Sequence, residues 1–156
     1  MQQSSVSPSY AAAELQAREL RSSHDFSEAA NAAQMAADIA IAEGDSSSWW
    51  HMTLFRAESL IAAGEIEACA ELASTLIAEP WEGNRQLQAQ VHILLALTRR
   101  GMGLLEEAAD EARIAADLMD GEDDVEIAVK ARQALIAALA DSGRLDQAWA
   151  ESLIMA

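Results

Sequence analysis

Four short stretches of this chain repeat one pattern, and that pattern limits how the chain can fold. A small or turn-forming residue is followed two places on by a large apolar residue and three further by a small one. The copies are His24, Phe26 and Ala29; Gly64, Ile66 and Cys69; Gly103, Leu105 and Ala108; and Gly143, Leu145 and Ala148. Successive copies start 40, 39 and 40 residues apart, so the chain reads as four units of helix, turn, helix. A glycine can take positive φ and end one helix so that the next begins within a few residues. A turn that short folds the two helices back antiparallel. The apolar residue then plugs the gap between them, and the small one lets the axes approach to about 8 Å. Seven residues before the turn stand Ala17, Ala57 and Ala96, with Ile136 in the fourth copy; four before it stand Leu20, Leu60 and Leu139, with Arg99 in the third.

Local signals divide the units into eight helices. Ser7-Pro8 opens the first, which runs to about Ser22. Asp25-x-x-Glu28 reads as a capping box for the second, closed by Gly44. Asp45-Ser46-Ser47-Ser48 precedes a third helix from about Trp49 to Ala63, the bulkiest of the chain. The fourth runs from Ile66 to Glu79, where Pro80 ends it. Asn84 is the expected cap of the fifth, Arg85 to Arg100, and the sixth spans Leu105 to Met119. Asp123-x-x-Glu126 reads as a second capping box, for a seventh helix ending near Ser142, and the eighth starts at Leu145.

A small residue, a glycine seven on, a large apolar residue two on and a small one three further resembles the tetratricopeptide repeat. Gly64-Glu65-Ile66-Glu67-Ala68 and Gly143-Arg144-Leu145-Asp146-Gln147-Ala148 read closely like that family's turn into its second helix, and Glu79-Pro80 falls near where a unit ends. The resemblance covers roughly residues 8–156. Units here are about 40 residues rather than the usual 34 or so, and Ala13, Thr53, His92 and Arg132 stand where the family has an aromatic. The likeness is therefore to the longer-unit members. It implies an all-α, right-handed α-solenoid of four antiparallel helix pairs over residues 8–156, after a flexible segment 1–7. The units would be about 8–44, 45–82, 83–121 and 122–156.

Composition excludes several function classes. Hydrophobic residues make up 51%, much of it alanine, and aromatics only 4%, which suits close-packed helices rather than a β-sandwich. No apolar run approaches the roughly 20 residues that span a bilayer, and the start of the chain has no secretion-signal pattern. A net charge of −16, with Lys130 the one lysine, argues against nucleic-acid binding. The lone Cys69 allows no intrachain disulfide, so a cytoplasmic setting is the expectation.

No catalytic constellation, cofactor motif or metal site emerges, and the expected role is non-enzymatic. His24, His51 and His92 fall in different units, without ligand spacing; His24 reads as a turn residue, and the other two as exposed or half-buried. Cys69 occupies a small, buried packing position. Gly101-x-Gly103 is a helix turn with no strand before it, and Asp120 to Asp124 lacks the glycine placement of an EF-hand.

The resemblance further implies a protein or peptide ligand on the concave face, lined by the first helices. Its groove positions here are His51, Leu54, Glu58 and Ile61, then Gln90, Ile93, Leu97 and Arg100, then Lys130, Gln133 and Ala137. Eight of the ten basic residues, Arg18, Arg21, Arg56, Arg85, Arg99, Arg100, Lys130 and Arg132, belong to first helices or their starts. Arg100 and Lys130 are thus expected to hold an acidic segment or a terminal carboxylate, with Leu54, Ile61, Ile93 and Leu97 as apolar contacts. The plain alternative is solvated charge at helix ends. Trp81, in the loop after Pro80, is a candidate interface anchor. The run Leu153-Ile154-Met155 is no polar cap. It suggests either a longer protein, in which this would be a regulatory or dimerising segment ahead of an output domain, or a homodimer through the last helix.

Overall fold

The computed structural model describes residues 8–78 and 84–155, and among these the chain is all-helical. The helices are α1 (Pro8–Ser22), α2 (Phe26–Ala42), α3 (Ser46–Ala62), α4 (Ile66–Ile77), α5 (Arg85–Gly101), α6 (Leu105–Leu118), α7 (Val125–Asp141) and α8 (Leu145–Met155). Ser7, Glu79, Pro80 and Trp81, which carried expectations above, lie outside the described residues.

The repeated turns are the same structure four times. His24, Gly64, Gly103 and Gly143 all adopt left-handed backbone, with φ of 65°, 81°, 80° and 83°. The N–H groups of Asp25, Glu65, Leu104 and Arg144 then donate to the carbonyls of Leu20, Leu60, Arg99 and Leu139, at 2.8 to 2.9 Å. A second bond runs from each left-handed residue's N–H to the carbonyl of Arg21, Ile61, Arg100 or Ala140. This pair of bonds is the Schellman closure of a helix end. The acceptor is a main-chain oxygen, so Arg99 serves as well as the leucines at its equivalent positions.

The two expected capping boxes come out differently. Asp25 makes no side-chain cap bond, and its N–H, the group Glu28 would accept in a capping box, is given to the Leu20 carbonyl. Its ψ of 67° also falls short of the 85°, 88° and 93° at Asp45, Asn84 and Asp124, which do cap. The cap of α7 is Asp124, one residue after the expected Asp123, and its carboxylate accepts from the Ile127 N–H at 3.2 Å. Asp45 accepts from both the N–H and the hydroxyl of Ser48 and holds its carboxyl below the usual range through those bonds. That cap starts α3 at Ser46 rather than Trp49.

The helices group into two compact units, Met1–Glu65 and Ile66–Ala156, dividing between α3 and α4. In the first, α2 packs on α1 and on α3. Seven buried alanines of α2 make this possible, since short side chains admit close axes without losing rotamer entropy. Tyr10, Met52 and Phe55 fill the rest of that core. In the second, each helix packs on its successor from α4 to α8, and α5 also packs on α7. Its core joins alanines of α5, α6 and α7 to Ile93, Ile127, Leu135 and Leu139. The small pattern residues Ala29, Cys69 and Ala108 are fully buried and Ala148 is 7% exposed. The apolar plugs Phe26, Ile66 and Leu105 are half-buried, whereas Leu145 is exposed.

Candidate interaction surface

Polar contacts in both units join positions about one repeat apart. In the first unit Arg21 donates to Glu58 at 3.2 Å and Ser27 to Glu65 at 2.7 Å. In the second, Arg100 donates to Asp141 and Arg113 to Glu151, and Arg144 lies 3.2 Å from Glu106. The Arg144 contact is an ion pair without hydrogen-bond geometry, and its Nη2 is buried without a hydrogen bond. These side chains bridge α1 to α3, α5 to α7 and α6 to α8, and of these pairs α5 and α7 pack directly.

A polar patch lies along α1 and α3. Arg18 donates from one nitrogen to Glu14 at 2.8 Å and to His51 Nε2 at 2.7 Å. A guanidinium only donates, so His51 accepts at Nε2 and its neutral ring carries the proton on Nδ1. The guanidinium carbons of Arg18 and Arg21 stand 5.6 and 4.8 Å from the Phe55 ring centroid, within cation–π range. Phe55 is 7% exposed, so the ring is a floor under the two cations. His51 and Glu58, both groove positions implied by the resemblance, are exposed members of this patch; Leu54 is buried and Ile61 half-buried.

In the second unit Gln90, Leu97 and Ala137 are half-buried, Ile93 is buried, and Arg100, Lys130 and Gln133 are exposed. Arg100 and Lys130 each stand beside an acid. Arg100 is engaged by Asp141, and Lys130 Nζ lies 3.5 Å from Glu126 on its own helix. A ligand carboxylate would have to displace those acids.

Two polar groups were less legible. His92 is not exposed or half-buried as expected but 8% exposed, and its Nδ1–H donates to Glu111 of α6 at 3.2 Å. Glu151 of α8 is likewise 8% exposed and takes hydrogen bonds from Arg113 of α6 and Arg132 of α7. Burial pushes its carboxyl up, but the bonds from Arg132 and Arg113 outweigh that and leave it below the usual range. Cys69 is buried as expected. Trp50 is half-buried and meets Trp49 edge to face, with ring centroids 5.0 Å apart.

Among the described residues no group of three or more His, Cys, Asp or Glu could hold a metal ion. Nor is any helix among them long and apolar enough to cross a membrane. No protein-family model, curated protein or solved structure matches the chain.

Proposed function

We propose that this chain is a non-enzymatic interaction module of the longer tetratricopeptide-like kind, a right-handed stack of antiparallel helix pairs that binds a protein segment along its first helices. One observation carries this reading: polar contacts between residues 37 to 41 places apart, such as Arg21 with Glu58 and Arg100 with Asp141. Contacts one repeat apart between α1 and α3, and between α5 and α7, are what stacked first helices make. A surface built this way is rigid before it meets a ligand, which lowers the ordering cost of binding. The residues that would meet the segment are His51 and Glu58 in the first unit, and Gln90, Arg100, Lys130 and Gln133 in the second. Leu54, Ile61, Ile93 and Leu97 would support them from below.

The Arg18 and Arg21 pair over Phe55 is the better anchor for a carboxylate than Arg100 with Lys130. It gathers two guanidiniums over one aromatic ring, though each of them, like Arg100 and Lys130, also stands with an acid. Binding there exchanges Glu14 and Glu58 for ligand carboxylates, so affinity depends on more than charge. The lone Cys69 fits a reducing, cytoplasmic setting.

A photo-activated cross-linker placed in turn at His51, Gln133 and, as a control on a second helix, Asp110 tests the reading in extract of the source cells. The expected result is one cross-linked species at the first-helix positions, lost in an Arg18→Glu, Arg21→Glu variant. Equal labelling at Asp110, or labelling indifferent to that variant, overturns it.

A further inference from the structure

The outer face of α7 and α8 departs from the rest of the chain in a consistent way. Six residues after each turn residue stand Ala30, Ala70 and Ala109, exposed by 2%, 8% and 3%; the fourth equivalent is Trp149, 67% exposed. Seven residues before the turn, Ala17, Ala57 and Ala96 are 0 to 2% exposed, and the fourth equivalent is Ile136, half-buried. At two independent positions an alanine that permits close helix approach is thus replaced by a large apolar side chain. A helix resting on this face must stand farther off than α7 stands from α5, because side-chain bulk sets the interaxial distance.

Leu145, Trp149 and Leu153 fall four residues apart along α8, forming one stripe, and are 65%, 67% and 58% exposed. Val125, 69% exposed, sits at the start of α7, which the antiparallel pairing of α7 and α8 sets beside the end of α8. Val129 and Ile136 lie on the same side of α7 and are half-buried. At these exposures the six side chains offer about 500–600 Å² of apolar surface, taking about 150–250 Å² for a whole aromatic side chain as the scale. Two such faces together reach roughly 1,100 Å², just above the threshold of about 1,000 Å² for a specific interface.

We infer that this face is a homodimer interface, in which α8 packs antiparallel on α8 of a second copy with Trp149 at the two-fold axis. The spacing of the stripe selects a second copy. Leucine, tryptophan and leucine four apart read the same in both directions, so an antiparallel two-fold sets Leu145 against Leu153 of the other copy and Trp149 against its own equivalent. A two-fold interface requires that self-complementarity. On α8 the exposed acid is Asp146, because Glu151 is engaged by Arg113 and Arg132. The opposing force is the charge of −16 on each copy.

Sedimentation equilibrium on the 156-residue chain tests this up to about 200 µM, a range that captures an interface at the small end of the stable class. Dimers are expected, with association strengthening as NaCl rises from about 0.05 to about 0.5 M, because screening removes repulsion while apolar contact remains. Trp149→Asp should weaken association by at least about 30-fold, as loss of a central aromatic does. Leu15→Asp, at a residue of similar exposure on α1 (59%), should leave it unchanged. Circular dichroism on each variant reports retained helix, and because Trp149 is exposed its loss leaves the core intact. With a short bismaleimide, Trp149→Cys should cross-link copies, while Leu145→Cys should do so only when Leu153→Cys is present. A monomer at every concentration, association indifferent to Trp149→Asp, association that weakens with salt, or self-cross-linking of Leu145→Cys alone each overturns the proposal.

Discussion

His24 is the one residue other than glycine among the described left-handed positions, with φ of 65°. Its Cβ crowds the following carbonyl, at a cost of about 1 kcal/mol. Its ring recovers part of that by meeting Phe26 edge to face, with centroids 5.5 Å apart, a contact worth about 0.5 kcal/mol at this exposed site. His24→Gly should therefore stabilise the first turn by a few tenths of a kcal/mol to about 1 kcal/mol. Gly103→Ala, where an added Cβ would meet nothing within 4 Å, should destabilise by about 1 kcal/mol through backbone strain alone. Urea unfolding of both variants checks the signs, with unchanged slopes expected. The turns were legible in the sequence because each is decided within six consecutive residues. His92 was not, because its partner is Glu111, 19 residues away on another helix, and no local spacing names such a partner.

Helix order, number and most ends follow from caps and turn residues, which act over one helical turn. The failures at this scale are also local. Asp25 looks like a capping residue, but its ψ of 67° is lower than at the three residues whose side chains do cap, and a sequence motif does not show that backbone angle. The attachment of α8 was not legible at all. Glu151 binds Arg113 and Arg132 at separations of 38 and 19 residues, and only the successive packing of α6, α7 and α8 brings them together. Glu151→Gln should cost about 2 kcal/mol at neutral pH, as loss of a charged hydrogen-bonded group does when its arginines remain. The pH dependence has a definite sign. The folded-state carboxyl titrates below its ordinary value of 4.5, so its contribution is complete above that pH and is lost as pH falls through the lower folded value. Wild type and Glu151→Gln should differ in unfolding free energy at pH 7 and converge well below pH 4.5. A constant difference across that window would mean that Glu151 acts through packing rather than charge.

At the scale of the whole molecule, two electrostatic terms oppose each other, and their sizes decide the response to salt. Ten basic residues face 26 acidic ones. The pairs that form are mostly exposed, as at Arg18 with Glu14, Arg21 with Glu58 and Lys130 with Glu126, and exposed pairs contribute about 0–1 kcal/mol each. Even if every cation were paired, 16 carboxylates would remain in excess, repelling one another in the compact state. Screening weakens both terms, but the attractive contacts are short and partly shielded from ions, whereas the repulsion acts between charges spread over a surface at separations beyond the Debye length of about 8 Å at 0.15 M. Removing the repulsion is therefore the larger effect. The urea midpoint should rise as NaCl increases from about 0.02 to about 0.3 M, with little change in slope. Measuring it on Trp149→Asp keeps the outcome separate from self-association, which salt also favours and which would itself raise apparent stability. If the midpoint of that variant falls with salt, the specific ion pairs outweigh the net charge, and the one-repeat contacts such as Arg21 with Glu58 and Arg100 with Asp141 carry more of the fold than exposed pairs usually do.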